Sequence, residues 1–389
     1  MRVSEVEAFL CRAVFREPIW SLQPWRDGRY RWADRLEFVL VRITSSDGLV
    51  GYGEARGVRF KGPEIVSVGE ECKRLVEKVV APELVGRDPL DSGVLWGDMR
   101  RKVDGEIYGN LALSGVDVAL WDLKGKALDV PVYTLLGGKY RSRVRLYASK
   151  VPGIIDPKSE DEAETLAKRL NELLKEGYTA FKLGGGLGLE ADLRSVEIAR
   201  ETVGEDCKIM LDAGCAYGFE EAVRLGKKLQ KFGVEWFEAP LRPSDLDGYV
   251  RLASELDLKV ATDVHPKPRQ VADLLSRGKV DVFLSDVTSS GGITASKTIA
   301  DLTGLRDVEF STHAGWHITG VGYAASAHLS AAVSNLNFQE GRIHYDANPF
   351  GNAILAKPLM VKDGFLQVPE GAGLGIEVDE KKVLRYASR

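Results

Sequence analysis

The sequence predicts an α/β barrel preceded by a smaller α+β domain, and three observations carry that prediction. Past residue 143, eight short β-rich runs alternate with amphipathic helical stretches, the pattern of parallel strands joined by helical crossovers. Seven of the runs end at or beside an ionisable side chain, at intervals of 23 to 30 residues. The first 143 residues lack this beat and read as antiparallel strands followed by helices.

In chain order, the first domain opens with strands over 3–9, 36–44 and 49–54, the last two joined by the turn Ser45-Ser46-Asp47-Gly48. Helices are expected over 63–80 and 111–128, with Leu113, Val116, Leu120, Leu123 and Leu128 on one apolar face of the second. The barrel strands fall at 144–148, 179–183, 208–212, 235–238, 259–263, 282–286, 309–313 and 335–340. Between them 160–176, 190–203, 219–232 and 320–332 carry apolar residues at helical spacing. After the last strand no eighth amphipathic helix is legible. Pro349, Pro358 and a hairpin over 359–369, turning at Lys362-Asp363-Gly364, follow instead. The expected division is therefore 1–143, 144–350, and a tail at 351–389 that returns to the first domain.

Composition narrows the function. At 389 residues the chain exceeds the size of one hydrophobic core. Its 53 basic and 57 acidic residues are spread without blocks, giving a formal charge of −4, so it carries no electrostatic footprint for nucleic acid. The four cysteines, Cys11, Cys72, Cys207 and Cys215, show no C-x-x-C spacing and read as small core residues. The charged start Met1-Arg2-Val3-Ser4-Glu5 and the lack of about 20 successive apolar residues lead to the expectation of neither a leader nor a membrane span. A cytoplasmic homo-oligomer acting on a small molecule is the expectation.

A barrel brings the C-terminal ends of all its strands to one mouth. Lys182, Asp212, Glu238, Asp263, Asp286, His313 and Glu340 would therefore converge. Any one strand ends in a polar residue readily enough; seven in succession, of these types, describe a site. Asp212, Glu238 and Asp263 supply three hard carboxylate ligands whose mutual repulsion calls for a cation, and such a set suits Mg²⁺. His265 shares the inner face of its strand with Asp263 and competes as a ligand. His317, four residues beyond His313 in a loop-like Gly315-Trp316 context, is not read as one. Asp286 and His313 end adjacent strands, where the carboxylate would fix the imidazole tautomer and raise its basicity as a general base. Lys182 places a cation where a substrate carboxylate or oxyanion would lie. Gly184-Gly185-Gly186-Leu187-Gly188 lacks the last glycine of a dinucleotide fingerprint and reads as a tight turn.

Several segments resemble the mandelate racemase and acid-sugar dehydratase branch of the enolase superfamily. They are the run from Leu113 through Gly115-Val116-Asp117 and Trp121-Asp122 to Lys126, Leu135-Leu136-Gly137-Gly138, Trp236-Phe237-Glu238-Ala239-Pro240, Ser285-Asp286 with Gly291-Gly292-Ile293-Thr294, and Thr312-His313 with Ala327-His328-Leu329. The resemblance implies a (β/α)7β modified TIM barrel with an α+β capping domain. It also implies metal ligands Asp212, Glu238 and Asp263, the dyad Asp286 and His313, and the acid Glu340. The chain departs from that pattern in three places. Gly184 stands where a second lysine is common, Gly214 where an asparagine is often found, and Thr262-Asp263-Val264-His265 is an unusual third-ligand segment.

With one base and no second lysine, the implied reaction is Mg²⁺-dependent dehydration of a sugar acid to a 2-keto-3-deoxy acid. The alternatives are a racemase, epimerase or cycloisomerase, or a degenerate non-catalytic relative. Specificity is expected from capping loops near 20–32 and 56–62, with Arg26, Arg29, Arg56 and Lys61 compatible with an anionic polyol, and from strand-end neighbours such as Lys150.

Overall fold

The computed structural model describes residues 1–24, 30–61, 64–262, 267–315, 318–341 and 349–387. Its N-terminal domain is a three-stranded antiparallel sheet, β1 (Val3–Pro24), β2 (Tyr30–Ser45) and β3 (Val50–Arg56), beside a two-stranded ribbon, β4 (Val58–Lys61) and β5 (Glu64–Ser67). Helices α1 (Gly69–Leu75), α2 (Ser92–Lys102), α3 (Gly109–Ala127) and α4 (Val132–Leu135) follow.

The first hairpin is far longer than the sequence predicts. Its ladder runs from Val3 opposite Ser45 to Pro24 opposite Tyr30. The prolines that argue against strand fall at or inside the irregularities Val14/Ile19 and Ser21/Pro24, where a missing N–H costs the ladder nothing. The expected loop at 20–32 is thus the two arms of this hairpin, with Arg26 and Arg29 outside the described residues. The expected loop at 56–62 is mostly the strand β4, and the helix expected from 63 begins at Gly69 because β5 occupies the residues before it. Leu128, expected on the apolar face of α3, is 47% exposed at its C-terminus, whereas Leu113, Val116, Leu120 and Leu123 are buried.

Eight parallel strands form the second domain: β6 (Arg143–Val151), β7 (Ala180–Gly184), β8 (Lys208–Asp212), β9 (Trp236–Glu238), β10 (Lys259–Thr262), β11 (Val282–Ser285), β12 (Glu309–Thr312) and β13 (Leu336–Glu340). Pairing of Gln339 with Leu146 and Glu340 with Tyr147 joins β13 to β6 and closes the barrel. The seven intervening helices are α5 (Glu160–Lys175), α6 (Leu189–Val203), α7 (Phe219–Leu229), α8 (Leu246–Glu255), α9 (Pro268–Arg277), α10 (Gly292–Gly304) and α11 (Gly320–Ala331). Among the described residues no helix separates β13 from the hairpin β14 (Val361–Lys362) and β15 (Phe365–Gln367), which turns through Asp363 and Gly364, both at positive φ. This is the (β/α)7β barrel of the sequence prediction, with an antiparallel sheet in the domain that caps it.

The tail pairs β15 antiparallel to β6, then ends in α12 (Glu380–Val383). Leu374 N–H donates to Asp122 of α3, and Arg42 of β2 pairs with Glu380. No helix of the described residues is long and apolar enough to cross a membrane.

Alternation along the strands fills the barrel. Tyr147, Ala180, Met210, Trp236, Ala261, Leu284 and Phe338 point inward and form an apolar plug, while Phe181, Leu211, Phe237 and Phe310 face the helices. Tyr147, Trp236 and Phe338 meet at ring separations of 5.6 to 6.4 Å. Burying each large apolar side chain contributes about 1.5–3 kcal/mol, so this layer is a rigid floor.

Candidate active site

Two residues beyond each plug residue, the same face emerges at the C-terminal mouth. Lys182 follows Ala180, Asp212 follows Met210, Glu238 follows Trp236, Asp286 follows Leu284 and Glu340 follows Phe338. Asp263 follows Ala261 by the same parity, but Asp263 and His265 lie outside the described residues, as do His317 and His344.

Lys182 is the hub of one half of the cluster. Its Nζ lies 2.7 Å from Glu238 Oε1, 3.7 Å from Asp212 Oδ2 and 3.9 Å from Glu340 Oε1, over the ring of Tyr147. Burial works against the ammonium, but Glu238, Glu340, Tyr147 and Asp212 outweigh it and hold its pKa well above the usual lysine range. Asp212 and Glu238 are direct register partners on β8 and β9. The second oxygen of the fully buried Glu238 accepts the indole N–H of Trp236 at 2.9 Å, so the carboxylate is gripped at both ends. Ala239, directly after it, holds φ at 44°, a left-handed backbone at the strand's exit.

The other half centres on His313. Its Nδ1 lies 3.2 Å from Asp286 Oδ2, and its Nε2 lies 3.2 Å from Glu340 Oε2. Asp286 Oδ1 is anchored by Thr288, whose N–H donates at 2.8 Å and whose hydroxyl donates at 2.6 Å. With Nδ1–H given to Asp286, a bond at Nε2 requires a proton either on the imidazole or on Glu340. The two halves join at Glu340, so six predicted residues, Lys182, Asp212, Glu238, Asp286, His313 and Glu340, form one connected cluster.

The capping domain reaches the loops that carry the dyad. Glu54 of β3, fully buried, accepts the Thr319 N–H at 2.9 Å, the Thr319 hydroxyl at 2.6 Å and the Gly322 N–H at 3.0 Å, all at the start of α11. Asp117 of α3, also fully buried, accepts the Thr294 N–H at 2.9 Å and hydroxyl at 2.6 Å at the start of α10. Burial pushes each carboxyl up to about 7, against these hydrogen bonds, which pull it down. Sequence reasoning missed both residues, although Asp117 stands out as an acid among the apolar positions of α3.

Residues 165–382 match the family model "Enolase C-terminal domain-like", and residues 12–137 match "Mandelate racemase / muconate lactonizing enzyme, N-terminal domain". The chain belongs to the mandelate racemase branch of the enolase superfamily. Its superfamily relatives include a D-galactarolactone cycloisomerase of Agrobacterium fabrum, 33% identical and covering 91% of this chain and 92% of the relative. An arabinonate dehydratase of Saccharolobus solfataricus is 31% identical, covering 88% of each. Among solved structures, a racemase from Streptomyces coelicolor A3(2) with bound magnesium superposes with a TM-score of 0.84 at 25% identity, covering 99% of this chain and 100% of that one.

The donor set fits a magnesium ion. Asp212 and Glu238 present hard carboxylate oxygens from adjacent strands, the donor type that magnesium takes. Among the described residues no three such side chains form a complete ligand set, the expected third, Asp263, being outside them.

Proposed function

We propose that this chain is a Mg²⁺-dependent dehydratase of sugar acids, with His313 as the base. The observation that supports this most is the His313 imidazole, backed by Asp286, that shares Glu340 with the Lys182 cluster. Asp212 and Glu238, with Asp263, would hold Mg²⁺, which when bound neutralises charge developing on the substrate carboxylate.

The chain's own residues supply the rest. His313, its tautomer held by Asp286, takes the proton from the carbon next to the carboxylate. Lys182, kept charged by its neighbours, supports the enediolate oxygen. The imidazolium then returns its proton to the departing β-hydroxyl. The C–H and C–O bonds break, water leaves, and the enol that forms tautomerises to the 2-keto-3-deoxy acid. Glu340, in contact with His313 Nε2 and facing Lys182, would, when protonated, donate a hydrogen bond to the same enediolate oxygen. A second base is wanting at Gly184, where the strand presents no side chain.

The cycloisomerase relative supports a second reading, in which the same base serves a reaction that conserves the substrate's atoms. Incubating the enzyme and Mg²⁺ with a library of aldonic and aldaric acids and assaying 2-keto acids decides between them. Keto-acid formation from at least one acid is the expected result; an isomeric product, with no keto acid from any, would favour the second reading.

A further inference from the structure

We propose that Asp117 and Glu54 are positioning residues for the Asp286–His313 pair, so that the capping domain acts as a two-point clamp on the base. The inference rests on the proposed role of His313 and concerns how that side chain is kept in place.

The clamp is visible in the order of the elements. Asp286 stands between β11 and α10, and His313 between β12 and α11. Asp117 closes the N-terminus of α10 and Glu54 closes that of α11, so each loop bearing a member of the pair is pinned at its far end by a buried carboxylate of the other domain. N-terminal N–H groups of a helix need acceptors, and an anion suits the positive end of the dipole. Here the acceptors come from a separate domain rather than from the helix's own cap alone.

Two further contacts tie the clamp to the pair. Arg56 N–H, two residues beyond Glu54, donates at 3.1 Å to the carbonyl of Thr288, the residue that anchors Asp286 Oδ1. Gly291 N–H donates at 2.8 Å to Ser114, one turn before Asp117 on α3. The packing leaves no slack. A Cβ on Gly292 would lie 2.2 Å from Asp117 Oδ2, and one on Gly322 would lie 2.9 Å from Thr288 and 3.0 Å from Glu54 Oε2. In the Gly291-Gly292-Ile293-Thr294 motif it is thus Gly292 that admits the capping domain's carboxylate.

Asp117→Asn and Glu54→Gln put an NH₂ group among donors without changing side-chain size, and Thr294→Val and Thr319→Val are gentler cuts at the same bonds. Ser159→Ala, at the cap of α5, serves as the remote control. The primary readout is the ¹⁵N shifts of the His313 imidazole, assigned by their loss in His313→Asn, because they report its tautomer without needing a substrate. In the clamp variants the shifts move toward those of a freely exchanging imidazole, while Ser159→Ala leaves them in place. For keto-acid formation, kcat falls by about 10- to 100-fold with KM and Mg²⁺ affinity held within about two-fold, the signature of a misplaced reacting group. Unchanged His313 shifts in folded Asp117→Asn, Glu54→Gln and both valine variants would overturn the proposal. Shifts that move in an enzyme that converts no sugar acid would leave the clamp standing and remove the dehydratase assignment.

Discussion

Replacing Gly292 with alanine tests the domain interface at its tightest point. Gly292 holds φ at +89°, and the added methyl would sit 2.2 Å from Asp117 Oδ2 and 2.5 Å from its Cβ. The left-handed backbone alone costs about 1–2 kcal/mol for a residue with a Cβ. The clash then either overpacks the interface, at about 1–3 kcal/mol, or displaces Asp117 from the Thr294 N–H and hydroxyl, where a charged hydrogen bond is worth about 1.5–3 kcal/mol. Together they predict a loss of about 2–5 kcal/mol. Gly291→Ala is the control, since φ there is +100° but the nearest atom to its Cβ is 3.1 Å away, the methyl of Ala295. It should lose the backbone cost and little more. Urea unfolding followed by tryptophan fluorescence and circular dichroism measures both, and Gly292→Ala placed in an Asp117→Ala background should recover most of the excess, as a coupled pair does. Equal losses for the two glycines, with no coupling to Asp117, would refute the reasoning.

Trp236→Phe keeps the aromatic floor but removes the N–H that orients Glu238, so Mg²⁺ affinity measured by calorimetry should fall about 10- to 100-fold with little loss of stability. His328, a buried residue of α11 stacked on Tyr133, has its pKa pushed down to about 4 by burial, below an unfolded value near 6.5. The unfolded chain therefore binds the proton first, and this histidine's share of stability, about 3 kcal/mol, is present above pH 6.5 and lost as pH falls toward 4. Glu54 and Asp117 act in the opposite direction: raised to about 7, they weaken the fold as pH rises from about 4 to 7. Comparing unfolding free energies of the wild type and His328→Gln across pH 4–8 isolates the histidine, whose removal should flatten the acid loss.

The barrel was legible because its signals are local. Each strand alternates a plug residue with a helix-facing one, and the ionisable residue two places beyond the plug falls at the mouth by parity alone. Six of the seven predicted site residues can be followed into the cluster; Asp263 cannot, since it lies outside the described residues. The first hairpin was read short, as strands 3–9 and 36–44, because only the pairing of the two arms shows that the ladder continues beyond each irregularity. Leu128 was misplaced because an apolar period does not mark the point at which a helix leaves its neighbour. Glu54 and Asp117 were out of reach for a deeper reason: their partners, Thr319 and Thr294, lie 265 and 177 residues away in the chain. Trp236 was visible as part of a motif, but its service to Glu238 depends on its indole N–H reaching the carboxylate two residues on, which spacing does not encode.

The account depends most on His313 removing a proton next to a carboxylate. Wild type and His313→Asn should be incubated with Mg²⁺ and the sugar-acid library in D₂O, with deuterium followed by NMR in product and recovered substrate. The wild type is predicted to form a keto acid labelled at C3, and His313→Asn to form no product and exchange no deuterium while binding Mg²⁺ as before. Undiminished turnover or exchange by His313→Asn would contradict the account.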